Sequence, residues 1–361
     1  MRTAIVHDYL NQAGGAERVV ECLHEVFAQA PIFTSIYDSK RMPDIFKTMD
    51  IRTSFMQRLP FVMKHFKKYL PLFPFAFESF NLSSYDLIFS SSSAWGKGIK
   101  KGKGSTHICY CHSPMRFVWM YEDYMEKEGY GALVKTILPP VLRWLRQWDI
   151  KTSQSVDHFI ANSKTTQKRI KLFYGRDSEV IHPPVDTSFF KPYNSKIKDY
   201  FLVVSRLNPY KHIDLAIETF NELGSPLYVI GIGPDEKRLK SLAKPNIKFL
   251  GRLPDSEIVA HYSQCRAFIL PGEEDFGLTP VEAQSCGRPV IAYGAGGALE
   301  SIIEGKTGMF FDRQEKASMM EAVRKFNSLF FDPDVIRENA LRFDKNVFKR
   351  KIKEFVDAKR K

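Results

Sequence analysis

No uninterrupted apolar run in this chain reaches the roughly 20 residues that a membrane-spanning helix needs. The opening stretch "MRTAIVHDYL" lacks the apolar core and small-residue cleavage site of a secretory leader and reads as a strand and a turn. Cysteine is scarce: five residues, an odd number, mostly in apolar contexts. That speaks against a disulfide framework and for reduced, structural thiols in a cytoplasmic protein. Cys109, Cys111 and His112 lie close enough to suggest a metal, but no second ligand pair follows. Cys109 and Cys111 alternate with Ile108 and Tyr110, as on a buried strand, which is the preferred reading. No D-x-D motif stands at a strand end, and neither short repeats nor low-complexity tracts occur.

Positive charge is plentiful. The formal net charge is +12, which calls for an anionic partner: nucleic acid, anionic lipid or a phosphorylated small molecule. Composition does not choose among them. With 361 residues, 44% hydrophobic and 26% charged, the chain is globular and long enough for two domains.

Short apolar runs alternate with helix-period segments. Strands are expected over Thr3–His7, Pro31–Tyr37, Tyr85–Ser91, His107–Cys111 and His158–Ser163. A second series covers Tyr200–Arg206, Pro226–Gly231, Ile247–Gly251, Ala267–Gly272 and Pro289–Gly294, with helices between. This repeated βαβ alternation predicts two doubly wound, Rossmann-like domains facing a cleft, with ligands beyond the carboxyl ends of the strands. Expected boundaries are residues 1–184, a Pro-rich and polar linker at 185–199, and residues 200–344. A basic helix, 345–361, is expected to complete the first domain.

The chemistry should sit on the loops after strands. Gly14 and Gly15 open a helix after the first strand, so backbone N–H groups can face a phosphate. His112 ends a strand before Ser113-Pro114, which turns the backbone out of the sheet. Arg206 and Lys211 flank a Pro-containing turn and can neutralise a diphosphate, though they also fit solvated surface cations. Gly233, in "GIGPDE", lets a base or phosphate approach the backbone. "EEDFGLTPVE" puts Glu274 on the exit loop of a strand and Glu282 on the following helix. Alone, Glu282 is better read as a residue that stabilises the helix dipole.

Together these stretches resemble a family. The Glu274–Glu282 pair looks like the E-x7-E signature of retaining, GT-B-fold glycosyltransferases of family 4. "GGAERV", "YCHSPMRFVW", "IANSKTTQKRI", "VIHPPVD", "SRLNPYK", "GIGP" and "GALESI" extend the likeness over nearly the whole chain. The resemblance implies that Glu274 contacts the donor sugar and that the backbone of Phe276, Gly277, Leu278 and Thr279 contacts its phosphates. It implies that Glu282 holds the ribose, that Arg206 and Lys211 bind the diphosphate, and that Gly14 or Gly15 approaches it from the other domain. His112 would stand near sugar and acceptor. No essential divalent metal or other cofactor is implied, because cations replace it. "HDYLNQAGGAERV", "LPLFPFAFESFNLSSYDLIFSSSSAWGKG" and "CHSPMRFVW" further resemble bacterial mannosyltransferases of O-antigen and exopolysaccharide assembly. The implied donor is GDP-mannose and the implied acceptor a lipid-linked saccharide. Two other readings compete: a sugar-nucleotide epimerase, which should lack the E-x7-E pair, and a basic nucleic-acid-binding protein, for which no module is recognised.

Ser54–Phe77 is the least ordinary stretch. Phe55, Met56, Leu59, Met63 and Phe66 follow helical spacing, with Arg58, Lys64, Lys67 and Lys68 interleaved. Such a segment suits an anionic membrane surface or, equally, a core-facing stripe with solvated cations. The implied lipid-linked acceptor favours peripheral association with the inner face of the plasma membrane.

Overall fold

The computed structural model describes residues 1–120, 132–193 and 196–359. It divides into two units, Met1–Pro183 with Phe348–Lys361, and Pro184–Val347. The first unit carries seven strands: β1 (Thr3–His7), β2 (Ile32–Thr34), β3 (Ile51–Thr53), β4 (Leu87–Ser92), β5 (Thr106–Cys111), β6 (His158–Ala161) and β7 (Ser178–Val180). Their order is β3-β2-β1-β4-β5-β6-β7, parallel throughout. The second unit carries β8 (Phe201–Val204), β9 (Leu227–Ile230), β10 (Ile247–Gly251), β11 (Phe268–Leu270), β12 (Val290–Tyr293) and β13 (Gly308–Phe311). Their order is β10-β9-β8-β11-β12-β13, again parallel. Each sheet reverses direction beside its first strand, between β1 and β4 and between β8 and β11, where doubly wound sheets take ligands.

Parallel strands are covered on both faces, so their sequences run apolar without alternation. All five residues of β1 are buried: Ile5 faces one core layer, Ala4 and Val6 the other. The helix Lys345–Lys359 turns Phe348, Ile352, Phe355 and Val356 into the first unit's core, where Phe348 meets Tyr110 at 5.6 Å. The Pro-rich stretch after Pro183 belongs to the second unit. Val185 and Phe190 are buried in its core, and Val185 pairs with Asp344. All five cysteines are buried and none is in a disulfide, and burial pushes the Cys109 thiol up to about 12. Among the described residues no helix is long and apolar enough to cross a membrane.

Ser54–Phe77 does not form one amphipathic helix. Residues from Phe55 onward make four short helical pieces, Phe55–Arg58, Val62–His65, Phe66–Leu72 and Phe73–Glu78, in a stretch punctuated by Pro60, Pro71 and Pro74. The expected stripe divides: Met56 is buried, and Leu59, Met63 and Phe66 pack partly against the core. The exposed rings are Phe55, Phe61 and Phe75, and Arg58, Lys64, Lys67 and Lys68 are exposed with them. Phe61 is 78% exposed on a left-handed backbone, φ 52°.

A buried ion pair fastens the loop after β4 to the long helix Ala132–Gln154. The Lys97 ammonium pairs with Asp149 and donates to the Ala94 carbonyl at 2.9 Å. Asp149 also accepts from Trp119 Nε1 at 2.7 Å and the Tyr174 hydroxyl at 2.9 Å. Breaking such a pair leaves a buried charge uncompensated, at a cost of about 3–5 kcal/mol. Lys97→Ala should lower unfolding free energy by that order in urea titrations, and Lys97→Met with Asp149→Asn, which removes the stranded charge but still accepts from Trp119 and Tyr174, should recover part of it.

Candidate active site

In the second unit the loops after β8, β9, β11 and β12 lean on one another. The β8 loop runs through a short 3-10 turn, Pro209–Lys211, into the helix Ile213–Leu223. Lys211 ends that turn with its ammonium paired to the Glu274 carboxylate, both side chains mostly buried. The Lys211 ammonium also lies over the Tyr210 ring at 5.0 Å. A crevice between Val204, Lys211, Pro271, Glu274 and Thr279 follows the same loops. Arg206 is exposed on the β8 loop, and Gly233 lies against its backbone, where a Cβ would stand 2.2 Å from the Leu207 carbonyl oxygen.

Glu274 is held by backbone. Its carbonyl accepts from Gly297 N–H at 2.9 Å, and a Cβ on Gly296 (φ +61°) would stand 2.2 Å from that same oxygen. The "GAGG" turn after β12 is therefore glycine because the Glu274 loop leaves it no room. Gly277, at φ +82°, precedes the helix Leu278–Ser285, whose start bears no side-chain cap. Its first N–H groups, at Leu278 and Thr279, are available to an anion. Glu282 lies one turn on, 4% exposed, accepting from the Tyr262 hydroxyl at 3.0 Å. Lys211, Glu274 and the helix start are thus brought together, while Glu282 sits below them in the packed layer.

In the first unit, Gly14 caps the helix Gly15–Val26 without a side-chain bond, and a Cβ on Gly14 would meet the Glu17 carboxylate at 3.1 Å. The carboxylate of Asp8, just after β1, accepts from the N–H groups of Ser93, Ala94, Trp95 and Gly96 at 2.6–3.0 Å. His112 follows β5, with Nε2 2.8 Å from Ser91 Oγ. Burial, with His7 nearby, lowers its pKa from the ordinary 6.5 to about 3, so the ring is neutral at physiological pH.

Two family models match in sequence order: "Glycosyltransferase Family 4" over residues 13–189 and "Glycosyl transferases group 1" over residues 185–349. The chain belongs to glycosyltransferase family 4. Its two parallel-sheet units are those of the GT-B fold. HepE of Anabaena, solved with UDP and glucose, superposes with a TM-score of 0.72 at 18% identity over 99% of both chains. Among curated relatives, a GDP-mannose-dependent alpha-(1-6)-phosphatidylinositol monomannoside mannosyltransferase of Mycolicibacterium smegmatis is 28% identical over 47% of this chain and 52% of its own. A D-inositol 3-phosphate glycosyltransferase of Acidothermus cellulolyticus is 26% identical over 52% and 50%. The match thus spans about half the length of these relatives.

Several residues around these sites carry little or no signal in the sequence. His7, Asp8, Glu17 and Ser91 build the floor under His112, and Tyr262 holds Glu282. "VHDY" at a strand end was a signal for the first two; Ser91 and Tyr262 carry none.

The neutral imidazole has a consequence for stability. As pH falls from 6.5 toward about 3, the unfolded chain takes up a proton at His112 that the folded chain refuses, so stability falls. His107, also lowered to about 3 by burial, acts in the same sense. His7, whose pKa is raised, acts oppositely: its contribution is present below 6.5 and is lost as pH rises through its folded pKa. Each lowered histidine adds a slope of about 1.4 kcal/mol per pH unit across its window. His112→Gln should flatten the slope of unfolding free energy between pH 4 and 6 by that amount.

Proposed function

We propose that this glycosyltransferase transfers mannose from GDP-mannose, with retention of configuration, to a lipid-linked saccharide in cell-surface polysaccharide assembly. The observation that carries the reading is the Lys211–Glu274 pair beside the uncapped start of the helix Leu278–Ser285. It offers a fixed cation, a carboxylate and backbone N–H groups at the exits of parallel strands. A sugar–diphosphate bond breaks through an oxocarbenium-like state, with negative charge growing on the departing phosphate. Lys211, Arg206 and the N–H groups of the helix start take up that charge, and Glu274 orients the sugar hydroxyls. Glu282 holds the ribose. His112 lies near sugar and acceptor. Because cations already balance the leaving group, no divalent metal is required.

Mannose and GDP are favoured by the name of the mycobacterial relative, which also includes a phosphatidylinositol monomannoside. A UDP-sugar is the second reading, favoured by the UDP and glucose bound to the Anabaena structure. The deciding experiment is release of nucleoside diphosphate from a panel of nucleotide sugars, with and without lipid extract. GDP-mannose should be turned over, and EDTA should leave most of the rate. Preference for a UDP-sugar, or a loss restored only by Mn²⁺ or Mg²⁺, would replace this reading. Within it, Glu274→Ala should lose transfer yet keep its affinity for free GDP, whereas Glu282→Ala should weaken GDP binding by about 1.5–3 kcal/mol in calorimetric titrations.

For the acceptor side we propose that the Ser54–Phe77 surface rests on an anionic membrane on the cytoplasmic side. Phe55, Phe61 and Phe75 expose apolar rings among Arg58, Lys64, Lys67 and Lys68, and Trp144 stacks on Phe75 at 6.1 Å. Each cation near such a surface contributes about 1 kcal/mol. Replacing Lys64, Lys67 and Lys68 by Glu should abolish co-sedimentation with phosphatidylglycerol vesicles at moderate salt while the fold persists. Equal sedimentation of variant and parent would remove the membrane surface from the proposal.

A further inference from the structure

Beneath His112 runs a line of buried polar groups that belongs to no phosphate or sugar contact named so far. It begins at Glu17, in the first turn of the helix after β1, whose Oε1 lies 3.7 Å from His7 Nε2. Both side chains are at most 5% exposed. His7 ends β1, in register with Ser91 on β4. Its Nδ1 stands 3.0 Å from the Ser91 carbonyl oxygen and 3.2 Å from Ser91 Oγ. Ser91 Oγ in turn stands 2.8 Å from His112 Nε2.

Elementary hydrogen-bond chemistry orders the protons along this line. A carbonyl oxygen only accepts, so His7 Nδ1 must carry hydrogen, in the neutral ring as in the imidazolium. Ser91 Oγ therefore has a donor, not an acceptor, on its His7 side. Ser91 is fully buried, and among the described residues its hydroxyl proton has one acceptor within reach, the Nε2 lone pair of His112. The reverse arrangement, with His112 Nε2–H donating to Oγ, would strand a buried hydroxyl proton without a partner, which buried polar groups avoid. His112 is then the tautomer with hydrogen on Nδ1.

We propose that Glu17, His7 and Ser91 act as a positioning relay that locks His112 as its Nδ1–H tautomer, making it a hydrogen-bond donor toward the transferred sugar or its acceptor. The relay rests on the reading of His112 as a substrate contact. Glu17 keeps the His7 ring oriented from behind. Burial opposes a charge on His7, but Glu17, with Asp8 and the Ser91 carbonyl, outweighs it and raises its pKa. A charge on His7 would add to the burial that already holds His112 neutral. A neutral ring of fixed tautomer offers one N–H and no mobile proton. It suits orientation of a hydroxyl or ring oxygen rather than acid–base exchange.

The test is long-range ¹H–¹⁵N correlation on the full chain with ¹⁵N-labelled histidine, the His112 signals assigned by their loss in His112→Gln. Wild-type protein near pH 7 should show His112 as a single Nδ1–H tautomer. Ser91→Ala should convert it to a mixture and lower kcat with GDP-mannose by about 10- to 100-fold, with KM for the donor nearly unchanged. Ser91→Thr, which keeps the hydroxyl, should restore the tautomer. Wild-type His112 found as the Nε2–H form, or a tautomer indifferent to Ser91→Ala, overturns the relay; the first of these needs no variant to fold. Should the lock be present while His112→Gln transfers mannose at the parental rate, the substrate role of His112 falls, and the relay's function with it. Absence of turnover with GDP-mannose in the wild type instead strikes the donor assignment, and the nuclear resonance result still decides the lock.

Discussion

One carboxylate organises the ligand end of the first sheet. Asp8 gathers the N–H groups of Ser93, Ala94, Trp95 and Gly96, and Ser92 Oγ donates to it at 3.2 Å. Four successive donors converging on one anion would be costly to bury without it. With it, the loop after β4 can run inside the protein. Trp95 then stacks on Phe73 at 4.8 Å, Lys97 reaches Asp149, and Gly98 passes against the Trp148 ring, where a Cβ would stand 2.2 Å away. The loop leaves β4 directly after Ser91 and Ser92, which bond to His112 through the Ser91 hydroxyl and the Ser92 carbonyl.

The second unit solves the corresponding problem differently. Its loops are fixed by close backbone approach rather than by an internal anion. Gly231 and Gly233 lie against the β8 loop, Gly272 against Lys211, and Gly296 and Gly297 against Glu274 and Phe276. The N–H groups at the start of the helix Leu278–Ser285 consequently stay uncapped by side chains. A carboxylate fills the donor nest of one unit, whereas the helix start of the other has no side-chain cap.

Much of the fold was legible because parallel strands must be apolar on both faces. Runs such as "TAIVH" and "FLVV" announce themselves without any partner. The strands that escaped notice, β3, β7 and β13, are three or four residues long, and "IRT" and "SEV" lie at sheet edges with polar side chains. Periodicity over so few residues carries no signal. The Ser54–Phe77 stretch misled for the opposite reason. Its spacing fits a helix, but the chain turns repeatedly around its prolines, so apolar residues that share one helical face in projection are divided between core and surface. Motif order along the chain pointed to Lys211, Glu274 and His112, but not to the depth at which each sits. That Glu282 is buried under Tyr262, or that His112 rests on Ser91, follows from contacts between residues 20 or more apart in sequence.

The route of the chain has a consequence for its synthesis. Residues 184–347 form a contiguous unit and can condense as soon as they leave the ribosome. The first unit emerges earlier yet cannot finish, because Phe348, Ile352, Phe355 and Val356 seal the face of its core formed by Ile5, Leu23, Phe89 and Tyr110. During translation that face waits uncovered through more than 160 residues of intervening chain. A nascent polypeptide in that condition is a natural client for a holdase chaperone, and a stop codon placed before residue 348 would damage the amino-terminal half of the protein more than the carboxyl-terminal one.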